Sequence, residues 1–247
     1  MNDVAAETLQ HQASVEAGAE LRVETPARET EIARPKVAVD TVLFAIEGDR
    51  LKCYLVQLMA GAAAGKWAFP GGLVRVGETL DEAARRELDD AASLRDLYLE
   101  QLFSFGDPSR DPGAHVVSVG YLGLIDDAGA ASSRSRKYAV GRWFEVARLP
   151  ALAYDHSVIA DYALRRLKSK LEYTNVACNL LPPTFTFAEL EELYATVLER
   201  PLDRRNFRRR ILAMGLLKRL PMKRRGAHRP AALYAFRHRS VQAIEML

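Results

Sequence analysis

Residues 67–94 read WAFPGGLVRVGETLDEAARRELDDAASL, and the fold is decided in this stretch. Pro70, Gly71 and Gly72 make a loop whose glycines let another group approach the backbone closely. Thr79 followed by Glu82 has the spacing of a capping box, in which hydroxyl and carboxylate each satisfy an orphan backbone N–H at a helix start. A helix from Leu80 to Leu94 follows from it. Positions 87, 90 and 91 lie three and four residues apart, so they share one helix face, turned toward the glycine loop.

The stretch resembles the box of the Nudix family. That box asks for Gly, five residues, Glu, seven residues, Arg-Glu, an aliphatic, any residue, Glu-Glu, any residue, Gly and an aliphatic. Gly72, Glu78, Arg86, Glu87, Leu88 and Leu94 fall in place, whereas Asp90 and Ala91 stand at the Glu-Glu pair and Ser93 at the Gly. The resemblance implies an ion pair between Glu78 and Arg86 that holds loop to helix. Ala91 has no oxygen for a metal and Asp90 is one methylene short of Glu, so the electrostatic clamp on a transition state is weakened. We therefore expect a catalytically impaired domain that still binds nucleotide, with Glu78, Arg86, Glu87 and Asp90 as remnants of the catalytic box. An alternative has Asp90 and Glu82 moving to hold one metal. No cofactor is required for sensing; Mg2+ would enter through Glu87 and Asp90 if hydrolysis were retained. The expected ligand residues are Phe69, Gly71, Gly72, Arg75, Glu87 and His156, with Arg75 neutralising phosphate charge. Trp67 and Phe69 suit either base stacking or core packing.

On the N-terminal side, residues 1–35 lack any sustained apolar period and are expected to be a disordered tail. Val37–Ile46 and Tyr54–Met59 read as a hairpin around Glu47, Gly48 and Asp49. On the C-terminal side, Leu99–Phe105 and Val116–Ile125 are extended, with turn formers between them, and Trp143–Val146 is a further short strand. Asp155 is expected to cap a helix with Val158, Ile159, Tyr162, Ala163, Leu167 and Leu171 on its apolar face. The result is an α+β chain: a Nudix-type α/β/α sandwich with a mixed sheet over residues 36–173.

Beyond Tyr173 the composition changes. From Phe185 to Ser240 there are 14 Lys and Arg against 5 Asp and Glu, a local charge of +9; the chain as a whole carries +3, which leaves −6 for the rest. One end is an electrostatic footprint for a polyanion. Thr186 with Glu189 repeats the capping box, Asp203 can cap a second helix with Phe207, Ile211, Met214 and Leu217 as its core stripe, and two basic strands turn at Gly226. Helix, turn, helix and basic hairpin describe a winged helix-turn-helix over residues 174–240, followed by a short tail at 241–247. Its expected DNA contacts are Arg204, Arg205, Asn206, Arg208 and Arg209 on the second helix, and Lys223, Arg224, Arg225, His228 and Arg229 at the wing.

The two halves together, with VVSVGYLGLI at 116–125, YDHSVI at 154–159 and PLDRRNFRRR at 201–210, resemble the Nudix-related transcriptional regulators of NAD metabolism. That resemblance implies a homodimer on palindromic, double-stranded operator DNA, responding to ADP-ribose or a related nucleotide. Two other classes remain open: an active hydrolase of ADP-ribose type with an accessory C-terminal domain, and an adaptor that binds a protein through its basic end. Cys53 and Cys178 lack any pairing or metal spacing. No apolar run is long enough to span a bilayer and the N-terminus lacks the pattern of a signal peptide, so a cytoplasmic protein without membrane association is expected.

Overall fold

A computed structural model describes residues 34–131, 135, 137–224 and 230–244. The expected disordered tail falls almost wholly outside them, as do Arg225, His228 and Arg229 of the wing. Among the described residues the first sheet has seven strands: β1 (Lys36–Glu47), β2 (Arg50–Leu58), β3 (Trp67–Ala68), β4 (Gly71–Leu73), β5 (Tyr98–Phe105), β6 (Val116–Leu124) and β7 (Tyr138–Glu145). The main path runs β3-β2-β1-β6-β5, with β4 on β1 and β7 on β2. The pair β1 and β6 is parallel while β1 and β2 are antiparallel, so the sheet is mixed.

Both faces of this sheet are covered, and the period-2 alternation of β1 and β2 shows why. Leu43, Ala45, Tyr54 and Val56 point to one side, where they pack with Leu88 and Ala91 of helix α1 (Leu80–Ala92). Val42, Phe44, Cys53 and Leu55 point to the other, where they meet Ile159, Ala163 and Leu167 of α2 (His156–Tyr173). The register pairs Leu43 with Tyr54 and Phe44 with Cys53, which keeps each set on its own face. The helices were anticipated with two adjustments. The Thr79–Glu82 capping box is present in both directions, but α1 ends at Ala92 because Ser93 adopts a left-handed conformation. Val158, expected on the apolar face of α2, is exposed. The last strand of the sheet starts at Tyr138 and is longer than its apolar run announced, because Gly141 interrupts the pattern. A Cβ there would run into the Tyr54 hydroxyl.

A short 3-10 turn at Val176–Asn179 leads into the second part: β8 (Phe185–Thr186), α3 (Phe187–Leu198), α4 (Arg204–Ala213), β9 (Leu217–Arg224) and β10 (Ala231–Phe236), with sheet order β8-β10-β9. Thr186 and Glu189 complete the second capping box, and Asp203 caps α4 through the Asn206 N–H. Phe207, Ile211 and Leu217 are buried as expected, and Met214 is only partly covered. The apolar core does not stop at the junction. Phe44, Ile159 and Leu171 belong to the same buried cluster as Val176, Leu180, Phe185, Leu193, Phe207 and Tyr234.

The segment read as a tail from residue 241 packs back onto this junction. The Asn175 amide donates to Ser240 O at 3.1 Å, its Oδ1 accepts from Gln242 N at 2.6 Å, and Ile244 N donates to Tyr173 O at 2.7 Å. Arg239 bonds Asp126, just beyond the end of β6, at 2.9 Å. The chain leaving the wing is thereby tied to the end of α2 and to the first sheet.

Candidate functional site

The glycine loop forms one wall of a cavity of about 410 Å3, within the range of small-molecule sites. Asp40, Phe69, Gly71, Gly72, Arg110, Lys137 and His156 are among its lining residues. Gly71 must be glycine because a Cβ would strike Val39 O and the Asp40 carboxylate. At Gly72 a Cβ would press on Glu87 Oε1 and Lys137 Nζ, so a larger residue there would have to displace those two side-chain ends.

Beneath the cavity lies a buried polar network that the sequence reading did not foresee. Arg110, its side chain 4% exposed, grips Asp155 with Nε at 3.0 Å and Nη2 at 2.6 Å, and faces Asp40 at 3.5 Å. Ser118 donates to Asp40 at 2.5 Å, and His156 Nε2 faces Asp40 Oδ1 at 3.5 Å. Burial pushes the Asp40 carboxyl up; His156, Ser118 and Arg110 outweigh it and hold the carboxyl below its ordinary range. His156 Nδ1 accepts from the Phe69 N–H at 3.0 Å, and the two rings stack at 5.0 Å between centroids. His156 and Phe69 thus both line the cavity as one buried stacked pair. Trp67 packs edge-on against Phe144 and does not line the cavity.

Two expectations need correction. Asp155 stands at the start of α2 but makes no side-chain cap; its carboxylate is committed to Arg110, a stronger, charge-assisted partner. Arg75 is exposed and lies outside the cavity lining. Its backbone N–H donates to the Glu78 carboxylate at 2.9 Å. The cation at the glycine loop is Lys137, whose ammonium bonds Glu87 Oε2 at 2.6 Å and also donates to Gly71 O.

The box remnants fall into two groups. Glu78 receives Arg86 through Nε at 2.5 Å and Nη2 at 2.8 Å, the expected clamp of loop to helix. The Arg86 hydrogen bonds hold the Glu78 carboxyl at about 2, against an ordinary 4.5. A carboxyl lowered on folding stabilises above its unfolded value and loses that contribution as pH falls through the folded one. Glu78→Gln should therefore melt below the parent at neutral pH, with the gap closing as pH drops from about 4.5 toward 2. A gap that stays constant over thermal melts in that window would show that the pair contributes no pH-linked stability.

Glu87 is buried between Arg86 Nη1 at 2.6 Å and Lys137, with the Tyr138 hydroxyl at 3.3 Å. Asp90 is exposed, and Ala91 is buried with its carbonyl taken by the Tyr54 hydroxyl at 3.1 Å. Among the described residues no three His, Cys, Asp or Glu side chains gather as a metal site would require. The carboxylate set needed by the Nudix divalent cation is not assembled here.

In the C-terminal part, α4 presents Arg204, Arg205, Asn206, Arg208, Arg209 and Arg210 to solvent. They are not equivalent. Arg208 lies 4.5 Å over the Phe187 ring and donates to the Tyr234 hydroxyl at 3.2 Å, so it also fastens α4 to α3 and the wing. Arg224 pairs with Glu189 and donates to Thr184 O at 3.3 Å, which ties it to the start of α3. Asn206 bonds Asp203 and accepts from Arg209 at 2.9 Å. Arg204, Arg205 and Lys223 are exposed, as are Arg210, Lys218 and Arg219, which were not among the expected contacts.

The described residues thus form a mixed-sheet sandwich with a glycine-walled cavity, followed by a basic helix-turn-helix and hairpin. The NUDIX domain family model matches residues 34–167 and that of the NrtR DNA-binding winged helix domain matches residues 177–236. The ADPR responsive transcriptional repressor NtrR of Acinetobacter baylyi is 32% identical over 206 residues, 82% of either chain. Shewanella oneidensis NrtR, in a crystal structure with a 27mer DNA, superposes with a TM-score of 0.73 at 32% identity, over 81% of this chain and 93% of that one. The NUDIX domain of the same protein, cocrystallised with ADP ribose, gives a TM-score of 0.52 at 28% identity over 57% of this chain and 94% of that one. The ADP-ribose pyrophosphatase of Methanocaldococcus jannaschii is 34% identical over 129 residues, 52% of this chain and 73% of that one. The chain belongs to the Nudix family, in the branch that carries an NrtR-type winged helix. Among the described residues no helix is long and apolar enough to cross a membrane.

Proposed function

We propose that the protein is a DNA-binding transcriptional repressor whose Nudix domain senses ADP-ribose or a related nucleotide, acting on genes of NAD metabolism as a homodimer on palindromic DNA. The observation that carries this reading is the union, in one chain, of a glycine-walled 410 Å3 cavity with a winged helix whose second helix exposes a row of arginines. Relatives named for ADP-ribose response and solved with DNA support it.

Hydrolysis is disfavoured by the site, with Ala91 in place of a carboxylate and Glu87 held by two cations. The likeness to a pyrophosphatase keeps that second reading in view. It requires Mg2+-dependent release of AMP from ADP-ribose, lost in Glu87→Gln.

The deciding experiment is fluorescence anisotropy on labelled DNA from upstream of the protein's own gene and its neighbours, at fixed salt, with and without ADP-ribose. We expect specific binding that ADP-ribose shifts by about 5- to 150-fold, the ordinary range of coupling between two sites. Indifference to every fragment, together with AMP release, would replace the repressor by the hydrolase.

A further inference from the structure

A Nudix site uses a divalent cation to neutralise a diphosphate, and the donors for one are missing here, yet the position is not vacant of charge. We propose that Lys137 stands in for that cation: its ammonium, seated between the Glu87 carboxylate and the Gly71 carbonyl, receives the ligand's pyrophosphate, so that nucleotide binding is independent of magnesium. This rests on the nucleotide-sensing reading given above.

Three observations converge on the ammonium. Its two partners, Glu87 Oε2 and Gly71 O, are both oxygens, one charged and one a backbone carbonyl, the kind of donors a hard cation takes. An ammonium has three N–H donors, so one remains after these two bonds. The second observation concerns competition within the cavity. Arg110 and Lys137 are the cations among its described lining residues, and Arg110 is 4% exposed and spent on Asp155 and Asp40. The Lys137 side chain is 42% exposed and reaches the same cavity. Third, Gly72 keeps this geometry open, since a Cβ at that position would press on both Glu87 Oε1 and Lys137 Nζ.

The substitution also separates binding from chemistry. A lysine carries a fixed single charge and cannot lower the pKa of a bound water as a metal does. It can hold a pyrophosphate without generating the hydroxide that would cleave it. Glu87, which would ligate the metal in the family box, orients the ammonium in its place.

The test is calorimetric titration of ADP-ribose into the full chain, in EDTA and in excess Mg2+. The parent should bind with the same affinity in both. Lys137→Ala should bind about tenfold or more weakly in EDTA, as expected for losing a charge-assisted bond, and should stay weak with Mg2+, because Arg86 still holds Glu87 and, among the described residues, no set of carboxylates gathers there for a metal. Lys137→Arg, which keeps the charge, should retain most of the affinity in EDTA. Equal melting temperatures of the variants establish that the fold is intact. If the parent binds only with Mg2+, or Lys137→Ala binds like the parent, this assignment is wrong while the sensor reading stands. If the parent binds ADP-ribose in neither condition, the sensor reading fails and takes this proposal with it.

Discussion

Replacing Arg205 and Arg209 together by alanine is expected to weaken binding to operator-containing DNA by about tenfold or more and to reduce the slope of log affinity against log salt by about two. Both side chains are exposed on α4, and neither holds α4 to the rest of the domain as Arg208 does. Arg209 donates to Asn206, one turn earlier on the same helix. Loss of the two charges should thus act on the polyanion and leave the fold unchanged. Arg208→Ala and Arg224→Ala are predicted to behave differently: they remove contacts to Phe187, Tyr234, Glu189 and Thr184 and so should lower the melting temperature as well as the affinity. Salt titrations with melting curves on all of these variants separate the two effects. An unchanged salt slope in the Arg205/Arg209 variant would remove α4 from the interface.

The second large effect is on stability. Arg110→Met is expected to cost about 3–5 kcal/mol at neutral pH, because it leaves buried Asp40 without its guanidinium and strips Asp155 of a two-pronged partner. The pH dependence has a defined sign. In the parent the Asp40 carboxyl is held low, so its contribution is present above the ordinary carboxylate range and fades only as pH falls through that lowered value. In the variant burial is less opposed, so Asp40 takes up a proton earlier and sheds its penalty. The gap between parent and variant in urea melts should therefore narrow on going from neutral to mildly acidic pH. A gap that widens instead would mean that the guanidinium is not what keeps Asp40 ionised.

How much of this was legible beforehand depends on whether a signal is local. Both capping boxes, the apolar run of β1 and the glycine loop are short-range patterns, and each corresponds to a structural element, while the Glu78–Arg86 clamp was implied by the family resemblance and is present. The site's remaining charges are not. Lys137 meets Glu87 across 50 residues, in a run of small and polar residues without periodicity, so only the folded chain brings them together. Arg110 sits among turn formers between two strands, where nothing local marks it as a buried partner. Asp40 did carry a clue: an acidic residue inside the run VAVDTVLFAI is buried in a strand, and a buried carboxylate needs a partner. Asp155 had the right position for a cap, but the tertiary partner Arg110 outcompeted the local backbone N–H. The continuous core across residues 171–185 was likewise hidden, because the change in charge there gives no hint of shared packing.

Helix α2 begins in the cavity wall at His156, and the residues just past its end, Thr174 and Asn175, grip the segment that leaves the wing. Its 18 residues span about 27 Å at about 1.5 Å per residue. A rod of that length is a lever: a tilt of roughly 1° about one end carries the other by roughly 0.5 Å. A small rigid tilt of this one helix would therefore displace residues 174–175, and the segment they hold, relative to the cavity wall without breaking any hydrogen bond inside the helix.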